Sequence, residues 1–259
     1  MKYGICAAPD HAIAAQLAQI GYDFLEINVQ SHLKSTEDEM AFWPEFRRIH
    51  ECKLRCLAAN CLLPGSLKVT GPSVDRDAVA RYLSVAFERA RQTGVETMVF
   101  GSGGARRVPD GFDRKEAQTQ LAEFCRMAGP IAQAAGVVMV VEPLNQAECN
   151  ILTSVRECAD LVRAANHPNV RLLVDAYHSM RENENPADIT ENASLLAHVH
   201  IATCEARRAP GIEECDFSPF FAALRKGGYD GRVSIECSWK DMPVEAAPAL
   251  AIMKTYVKD

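Results

Sequence analysis

Four short apolar runs in the second half of the chain each end near a side chain that a hard divalent metal accepts. The runs are VVMVVEP, VRLLVDAYH, LAHVHIA and GRVSIECSW, and the residues are Glu142, Asp175, His200 and Glu236. They lie 33, 25 and 36 residues apart, which is the repeat expected of a strand and its crossover helix. In a closed parallel barrel the strand ends meet at one face, where active sites form. The spacing therefore predicts four ligands at one rim.

Three carboxylates and one imidazole are a ligand set suited to a divalent metal with oxygen-rich coordination. The expected ion is Mn²⁺, with Mg²⁺, Co²⁺ and Zn²⁺ as alternatives. Such an ion would hold two adjacent oxygens of a hydroxy-carbonyl compound and stabilise the enediolate that forms when the C–H bond between them loses its proton. A carboxylate on each face of the substrate could remove and return that proton. The residues thus indicate metal-assisted proton transfer.

Two further histidines lie close to these residues in the sequence. His178 follows Asp175 in DAYH, so it either approaches the substrate or has a structural role. His198 and His200 are two residues apart and face the same side of a strand, so periodicity alone does not choose between them as ligands. Position at the strand end favours His200 and places His198 deeper in the barrel.

Two predicted loops carry pairs of arginines. The segment GSGGARRVPDGF contains Arg106 and Arg107, and CEARRAP contains Arg207 and Arg208. Guanidinium groups recognise carboxylates and phosphates, so the pairs favour an acidic sugar, a short oxo-acid or a sugar phosphate as substrate. The alternative is that these arginines pair with loop carboxylates of the protein itself.

Two polar residues in the first half belong to a second tier of candidates. Glu26 ends the second strand-like segment, and Asn60 lies just past the third. Each is expected either to contact substrate or to cap a neighbouring helix.

Strand-like and helix-like segments alternate from end to end, which predicts an α/β fold with parallel strands. A doubly wound open sheet could use the same elements, but it would not bring four successive strand ends round one centre. We therefore expect a (β/α)8 TIM barrel, as a single domain over residues 1–259. The predicted strands are 2–6, 23–28, 54–59, 96–101, 137–142, 170–175, 197–202 and 231–236.

Several helices carry recognisable start and stop signals. Ser73 precedes a segment with apolar residues at spacings of three and four, and Gly94 lies where this helix should end. Asp113 is expected to cap one later helix, and Thr153 and Ser154 are expected to begin another. Pro130 should kink or split the helix that begins after Asp113.

Composition excludes some classes of protein. A formal charge of −6 and a pI near 5.7 disfavour nucleic acid as a partner. No stretch approaches the ~20 apolar residues that cross a bilayer, and the N-terminus lacks the apolar core of a secretion signal. A cytoplasmic protein without a membrane partner is therefore expected. Its ten cysteines contain no CxxC pair and are predicted to be free thiols.

The motifs around the four predicted ligands resemble those of the xylose-isomerase-like barrels, which include ketose 3-epimerases and hydroxypyruvate isomerases. In ketose 3-epimerases the metal is held by Glu, Asp, His and Glu from the last four strands, which correspond to Glu142, Asp175, His200 and Glu236. The two glutamates are also the acid/base pair in that family. The resemblance implies a sugar isomerase or epimerase that acts on a small ketose or hydroxy-oxo acid, commonly as a dimer or tetramer.

The resemblance also implies substrate-binding residues. The family has a Glu six residues after the first ligand, which corresponds to Glu148, and a His three after the Asp, which corresponds to His178. Its Arg shortly after the metal-binding His falls at Arg207 or Arg208, and Arg207 is preferred.

Three other functions are possible for the same fold. In an inosose-type dehydratase the enolate would expel a β-hydroxyl group instead of being reprotonated. An apurinic endonuclease would need more metal-binding His and acidic residues, yet His11, His32, His50 and His167 lie outside the predicted strand ends. A barrel that only binds a metal or sugar would keep the four ligands but would not need Glu148 and His178 together.

Overall fold

Eight parallel strands close into a barrel in the computed structural model, which describes residues 1–256. Each strand pairs with the next in sequence, and the last pairs with the first through Lys2↔Arg232 and Ile5↔Ile235. The final three residues of the predicted 1–259 domain lie outside the described part. The strands are β1 (Lys2–Cys6), β2 (Phe24–Asn28), β3 (Cys56–Asn60), β4 (Thr97–Phe100), β5 (Val138–Val141), β6 (Val170–Asp175), β7 (Leu196–Ile201) and β8 (Arg232–Ile235).

The prediction of a single-domain (β/α)8 barrel is confirmed, and every strand boundary agrees with the expected one to within two residues. The agreement has a physical cause. Barrel strands are covered by helices outside and by side chains inside, so they appear in the sequence as nearly continuous apolar runs. All four residues of β4, for example, are buried.

Helices follow the strands and pack on the outside of the barrel. They are α1 (His11–Ile20), α2 (Glu39–Glu51), α3 (Arg76–Thr93), α4 (Gly103–Arg106), α5 (Arg114–Ala134), α6 (Val155–Ala165), α7 (Ala176–Arg181), α8 (Ala187–Glu191), α9 (Ser218–Lys226) and α10 (Met242–Thr255). A π-helical turn, Val29–Leu33, and a 3₁₀ turn, Ala193–Leu195, complete the connections between strands.

The predicted helix caps are largely as expected. Asp113 caps α5 and Ser154 caps α6, and Gly94 ends α3 in the left-handed conformation. The expected start of α3 at Ser73 is wrong by two residues. Asp75 is the cap because its carboxylate accepts a hydrogen bond of 2.9 Å from the Ala78 N–H.

Pro130 was expected to kink or split its helix, and the split is wrong because α5 continues from Arg114 to Ala134 through the proline. A proline inside a helix removes one backbone hydrogen bond. Ala128 and Ala132, two residues before and two residues after the proline, are both buried, so packing of the helix here offsets that loss.

Two composition-based expectations can be compared with the structure. All ten cysteines carry free thiols, as predicted. Within residues 1–256, none of the helices combines the length and apolar character that crossing a membrane requires.

Candidate metal centre and active site

The four predicted ligands lie together at the carboxyl ends of four neighbouring strands. Glu142 directly follows β5, Asp175 is the last residue of β6, His200 is the penultimate residue of β7, and Glu236 directly follows β8. One ligand atom from each residue lies within 4.8 Å of all the others. Metal–oxygen and metal–nitrogen bonds of roughly 2.0–2.4 Å place opposite ligands about 4–5 Å apart. The cluster therefore has the dimensions of one coordination shell.

His200 lies at the centre of this cluster. Its Nδ1 is 2.8 Å from Glu142 Oε1 and 3.6 Å from Glu236 Oε2. Burial opposes a charge on the ring, but the carboxylates of Glu26, Glu236 and Glu142 outweigh it and raise the pKa of His200 well above its ordinary value of 6.5. The cluster thus attracts positive charge at the point where a metal ion would bind.

Asp175 supplies a free ligand atom. Its Oδ1 accepts a hydrogen bond of 2.7 Å from the Tyr177 N–H, which fixes the carboxylate at the start of α7. Its Oδ2 is buried and has no hydrogen-bond partner among the described residues. A buried carboxylate oxygen without a partner is costly, and a cation would remove that cost. The donor set and this oxygen both fit a divalent metal.

The two glutamates experience opposite electrostatic environments. Burial alone would raise the pKa of Glu142, but the adjacent His200 lowers it below the ordinary value. Burial raises the pKa of Glu236 above the ordinary value, and the neighbouring Glu142 adds to this effect although His200 opposes it. Different proton affinities in one buried pair are typical of acid/base partners.

His178 lies beside the four predicted ligands and is held in one tautomer. Its Nδ1 accepts a hydrogen bond of 3.0 Å from the Asn145 N–H, so a neutral ring carries its proton on Nε2. That Nε2 is buried, has no hydrogen-bond partner among the described residues and lies 3.6 Å from Asp175 Oδ2. His178 can therefore donate a hydrogen bond to a molecule bound at the rim.

Arg207 joins Glu148 to the cluster. Its Nη2 donates to Glu236 Oε2 at 2.5 Å and its Nη1 donates to Glu148 Oε1 at 3.4 Å. Its guanidinium group also lies 4.6 Å from the centre of the Tyr177 ring. The three predicted substrate contacts, Glu148, His178 and Arg207, thus lie around the same rim.

The other three arginines do not reach the cluster but bind groups of the protein itself, so of the two alternatives for the arginine pairs substrate recognition does not hold for these three. Arg106 is fully buried and donates to the carbonyls of Phe100 and Glu142 at 3.0 and 2.7 Å. It therefore connects the end of β4 to the residue that follows β5. Arg107 is exposed and donates to a main-chain carbonyl at 2.7 Å. Arg208 is buried and pairs with a carboxylate oxygen of Glu245 at 2.6 Å.

Neighbouring arginines should therefore respond differently to mutation. Arg207→Ala is expected to lower kcat by about 10²-fold because the Glu236 carboxylate loses the group that orients it. Arg208→Ala is expected to destabilise the fold by about 3 kcal/mol because it leaves the Glu245 charge buried and unpaired. Steady-state kinetics and urea unfolding of both variants measure the two effects. Unchanged kcat and KM in Arg207→Ala would remove the role assigned to Arg207, and Arg208 could not replace it because it is paired with Glu245.

Two residues from the second tier contact the cluster in a way that the sequence did not indicate. Glu26 neither caps a helix nor lies open to substrate; its two oxygens accept hydrogen bonds from His198 and His200. Asn60 donates to Glu236 Oε1 at 2.8 Å. The available signal for Glu26 was a charged residue flanked by the apolar residues Leu25 and Ile27 in the strand FLEIN.

Gly101 is a further residue whose role depends on the tertiary structure. A Cβ at this position would lie 2.1 Å from Glu142 Oε2. Only glycine leaves room for the carboxylate at the end of β4. Gly101 thus makes space for a proposed ligand.

Gly101→Ala should therefore reduce kcat by about 10²-fold, because the added methyl group displaces Glu142 by about an ångström. Gly65→Ala is a matched control, since its Cβ would meet its nearest neighbour at an ordinary 3.7 Å. Kinetics and metal affinity of both variants test this prediction. Wild-type values for both quantities in Gly101→Ala would show that Glu142 does not need its observed position.

Comparison with known proteins gives the family context. Residues 14–256 match the family model described as xylose isomerase-like TIM barrel. The chain is 30% identical over 126 residues to D-psicose 3-epimerase of Ruminiclostridium cellulolyticum, an alignment that covers 48% of this chain and 43% of that protein. It is 30% identical over 188 residues to a putative hydroxypyruvate isomerase of Streptomyces coelicolor, covering 69% and 65% respectively. The aligned segment thus spans less than half of the D-psicose 3-epimerase and about two thirds of the second relative.

A solved structure agrees over the whole length. The D-psicose 3-epimerase of Clostridium cellulolyticum, crystallised with D-tagatose, superposes with a TM-score of 0.84 at 21% identity and covers 100% of both chains. At this identity the superposition demonstrates a shared fold. Together with the match over residues 14–256, it leads to one conclusion: the chain belongs to the xylose isomerase-like TIM barrel family, whose related members include sugar epimerases and hydroxypyruvate isomerases.

Proposed function

We propose that the protein is a divalent-metal-dependent sugar isomerase or epimerase that transfers a proton through an enediolate of a small, uncharged ketose. The observation that carries this proposal is the convergence of Glu142 and Glu236 on His200. The two glutamates come from β5 and β8, three strands apart round the barrel, so they approach the centre from different directions. Two bases placed in this way suit removal of a proton from one side and its return from the other.

Glu142, Asp175, His200 and Glu236 would hold the metal, for which we propose Mn²⁺. When bound, the ion supplies positive charge that acidifies the C–H bond next to a carbonyl and stabilises the enediolate oxygens. One glutamate removes the proton, the electron pair of the C–H bond moves toward the carbonyl oxygen, and the other glutamate returns a proton. His178 donates its Nε2–H to a substrate oxygen, while Glu148 and Arg207 bind substrate hydroxyl groups.

The charge of the site favours an uncharged substrate. The three carboxylate ligands and Glu148 bring four negative charges, which a divalent ion and Arg207 reduce to one. Glu26 lies behind His200 and adds another negative charge in a buried position. A carboxylate or phosphate on the substrate would enter this field and would have to compete for Arg207, which already pairs with Glu236 and Glu148. We therefore favour a ketose over a hydroxy-oxo acid.

Proton NMR in D₂O tests the proposal directly. Metal-loaded enzyme is incubated with a panel of ketoses, hydroxypyruvate and short oxo-sugar acids, and exchange and products are followed. We expect deuterium to enter a carbon next to the carbonyl of a ketose, together with formation of its epimer. Exchange restricted to hydroxypyruvate would make the protein an isomerase of a short acid, and loss of water would place it with the inosose-type dehydratases.

The nuclease alternative receives less support from the histidines. His11 Nδ1 lies 2.9 Å from the Glu51 carbonyl, His32 contacts Glu45, and His50 lies 3.2 Å from a main-chain carbonyl. These three histidines contact helical residues and add no ligand to the proposed metal site.

We further propose a cytoplasmic location and a small-molecule partner, without nucleic acid or membrane. The net charge of −6 opposes binding to a phosphate backbone. A homodimer or homotetramer remains the prediction for the assembly, and light scattering of the purified protein would measure it.

A further inference from the structure

Glu26 is the most deeply buried acid around the proposed metal site. Its side chain is fully inaccessible to solvent, in the middle of β2. Its Oε1 lies 2.8 Å from His200 Nε2, and its Oε2 lies 2.7 Å from His198 Nε2. One carboxylate thus bridges two histidines that are two residues apart on β7.

We propose that Glu26 is a positioning residue for metal binding: it holds the proton of His200 on Nε2 and thereby directs the lone pair of Nδ1 toward the metal. This inference rests on the proposed metal site. Glu26 would not touch the metal or the substrate. It acts through His200, whose Nδ1 faces Glu142 and Glu236 on the other side of the ring.

The tautomer follows from hydrogen-bonding chemistry. A neutral imidazole has one N–H donor and one acceptor nitrogen, whereas an ionised carboxylate only accepts. A hydrogen bond between Glu26 and His200 Nε2 therefore requires the proton to be on Nε2. Without metal, the contact of 2.8 Å between Nδ1 and Glu142 Oε1 requires a proton on Nδ1 as well. A metal would replace that proton while Glu26 keeps the proton on Nε2, so that Nδ1 offers its lone pair to the ion. A carboxylate behind a metal-binding imidazole also increases its basicity and fixes its orientation.

The second hydrogen bond explains why the residue is Glu and not Gln. His198 and His200 both present Nε2–H groups, and the two oxygens of a carboxylate can accept both. A glutamine amide accepts through its oxygen but donates through its nitrogen. In Glu26→Gln one histidine would have to change its tautomer, because an NH₂ group cannot accept the second N–H.

Neither histidine can change its tautomer without a cost. His198 Nδ1 is buried without a partner among the described residues, so a proton there would be an unpaired buried donor. In His200 the same change would place a proton on Nδ1 and block the metal. We therefore expect Glu26→Gln to populate both arrangements and to weaken metal binding.

The variant test measures Mn²⁺ affinity by competition with a chelator, which does not depend on turnover. Glu26→Gln is expected to bind Mn²⁺ about 10–100-fold more weakly than wild type. Asp188→Asn is the matched control, because Asp188 is also a buried acid but pairs with Arg156 at 2.6 Å on the outer helices. This control should lose stability and keep the wild-type affinity, as any purely structural acid would. Wild-type affinity in Glu26→Gln would overturn the proposal.

A measurement on the wild-type protein keeps the proposal testable if Glu26→Gln does not fold. Nitrogen-15 NMR of the histidine rings, with and without Zn²⁺ as a diamagnetic probe, should show His200 Nε2 protonated in both states and a metal-induced shift at Nδ1. A Zn²⁺ shift at Nε2 would overturn the role of Glu26 and leave the proposed function standing. No response of His200 to metal would overturn this role and the proposed metal site together.

Discussion

Glu142→Gln and Glu236→Gln are each expected to lower kcat by about 10²–10⁴-fold, the usual contribution of a positioned acid or base. Glutamine preserves the size of the side chain but cannot take up and return a proton at neutral pH. Glu236 already receives hydrogen bonds from Asn60 at 2.8 Å and from Arg207 at 2.5 Å, so its carboxylate is held in one orientation. Glu142 is held by His200 at 2.8 Å.

Loss of a base must be separated from loss of the metal, because the same glutamates are proposed ligands. Turnover is therefore measured at saturating Mn²⁺, and deuterium exchange is followed separately for each epimer. With one base removed, the remaining glutamate should still exchange the proton of one epimer without producing the other. Glu123→Gln, at a partly exposed ion pair with Arg76, is the control and should behave as wild type. Substantial kcat in either active-site variant at saturating metal would contradict the acid/base assignment.

Chelation of the metal should abolish turnover and lower the stability of the fold. The cluster contains three carboxylates within one coordination shell, so a bound divalent ion relieves their repulsion and satisfies the free Oδ2 of Asp175. A ligand at 100 times its dissociation constant stabilises the native state by about 2.7 kcal/mol. For a chain of this size that corresponds to a rise in Tm of roughly 5–10 °C.

Thermal unfolding with Mn²⁺ and with excess chelator measures this effect without any substrate. Asp175→Asn removes one ligand and should show a smaller metal-induced shift than wild type. A wild-type Tm that does not depend on metal would contradict the metal site, even if another assay found activity.

The sequence alone was enough to predict the barrel and the residues that gather at its rim. Apolar strands recur with helices between them, and in a parallel barrel the polar residue that ends each strand must lie on one face. Glu142, Asp175, His200 and Glu236 lie together for that reason. Periodicity places His198 and His200 on the same face of one strand, so only their distance from the strand end could decide which of them is the predicted ligand. Catalytic roles for these residues remain predictions.

The contacts of each side chain were decided only by the tertiary structure. Arg207 and Arg208 are neighbours in a loop, yet Arg207 extends to Glu236 and Arg208 to Glu245. Glu26 and His198 are 172 positions apart, so their hydrogen bond depends on closure of the barrel and has no local signal. The need for glycine at position 101 likewise depends on the tertiary structure, because Glu142 at the end of the next strand occupies the space that a side chain would fill. Periodicity determines which face a residue occupies, whereas the partner of a buried charge depends on distances of a few ångströms between segments far apart in sequence.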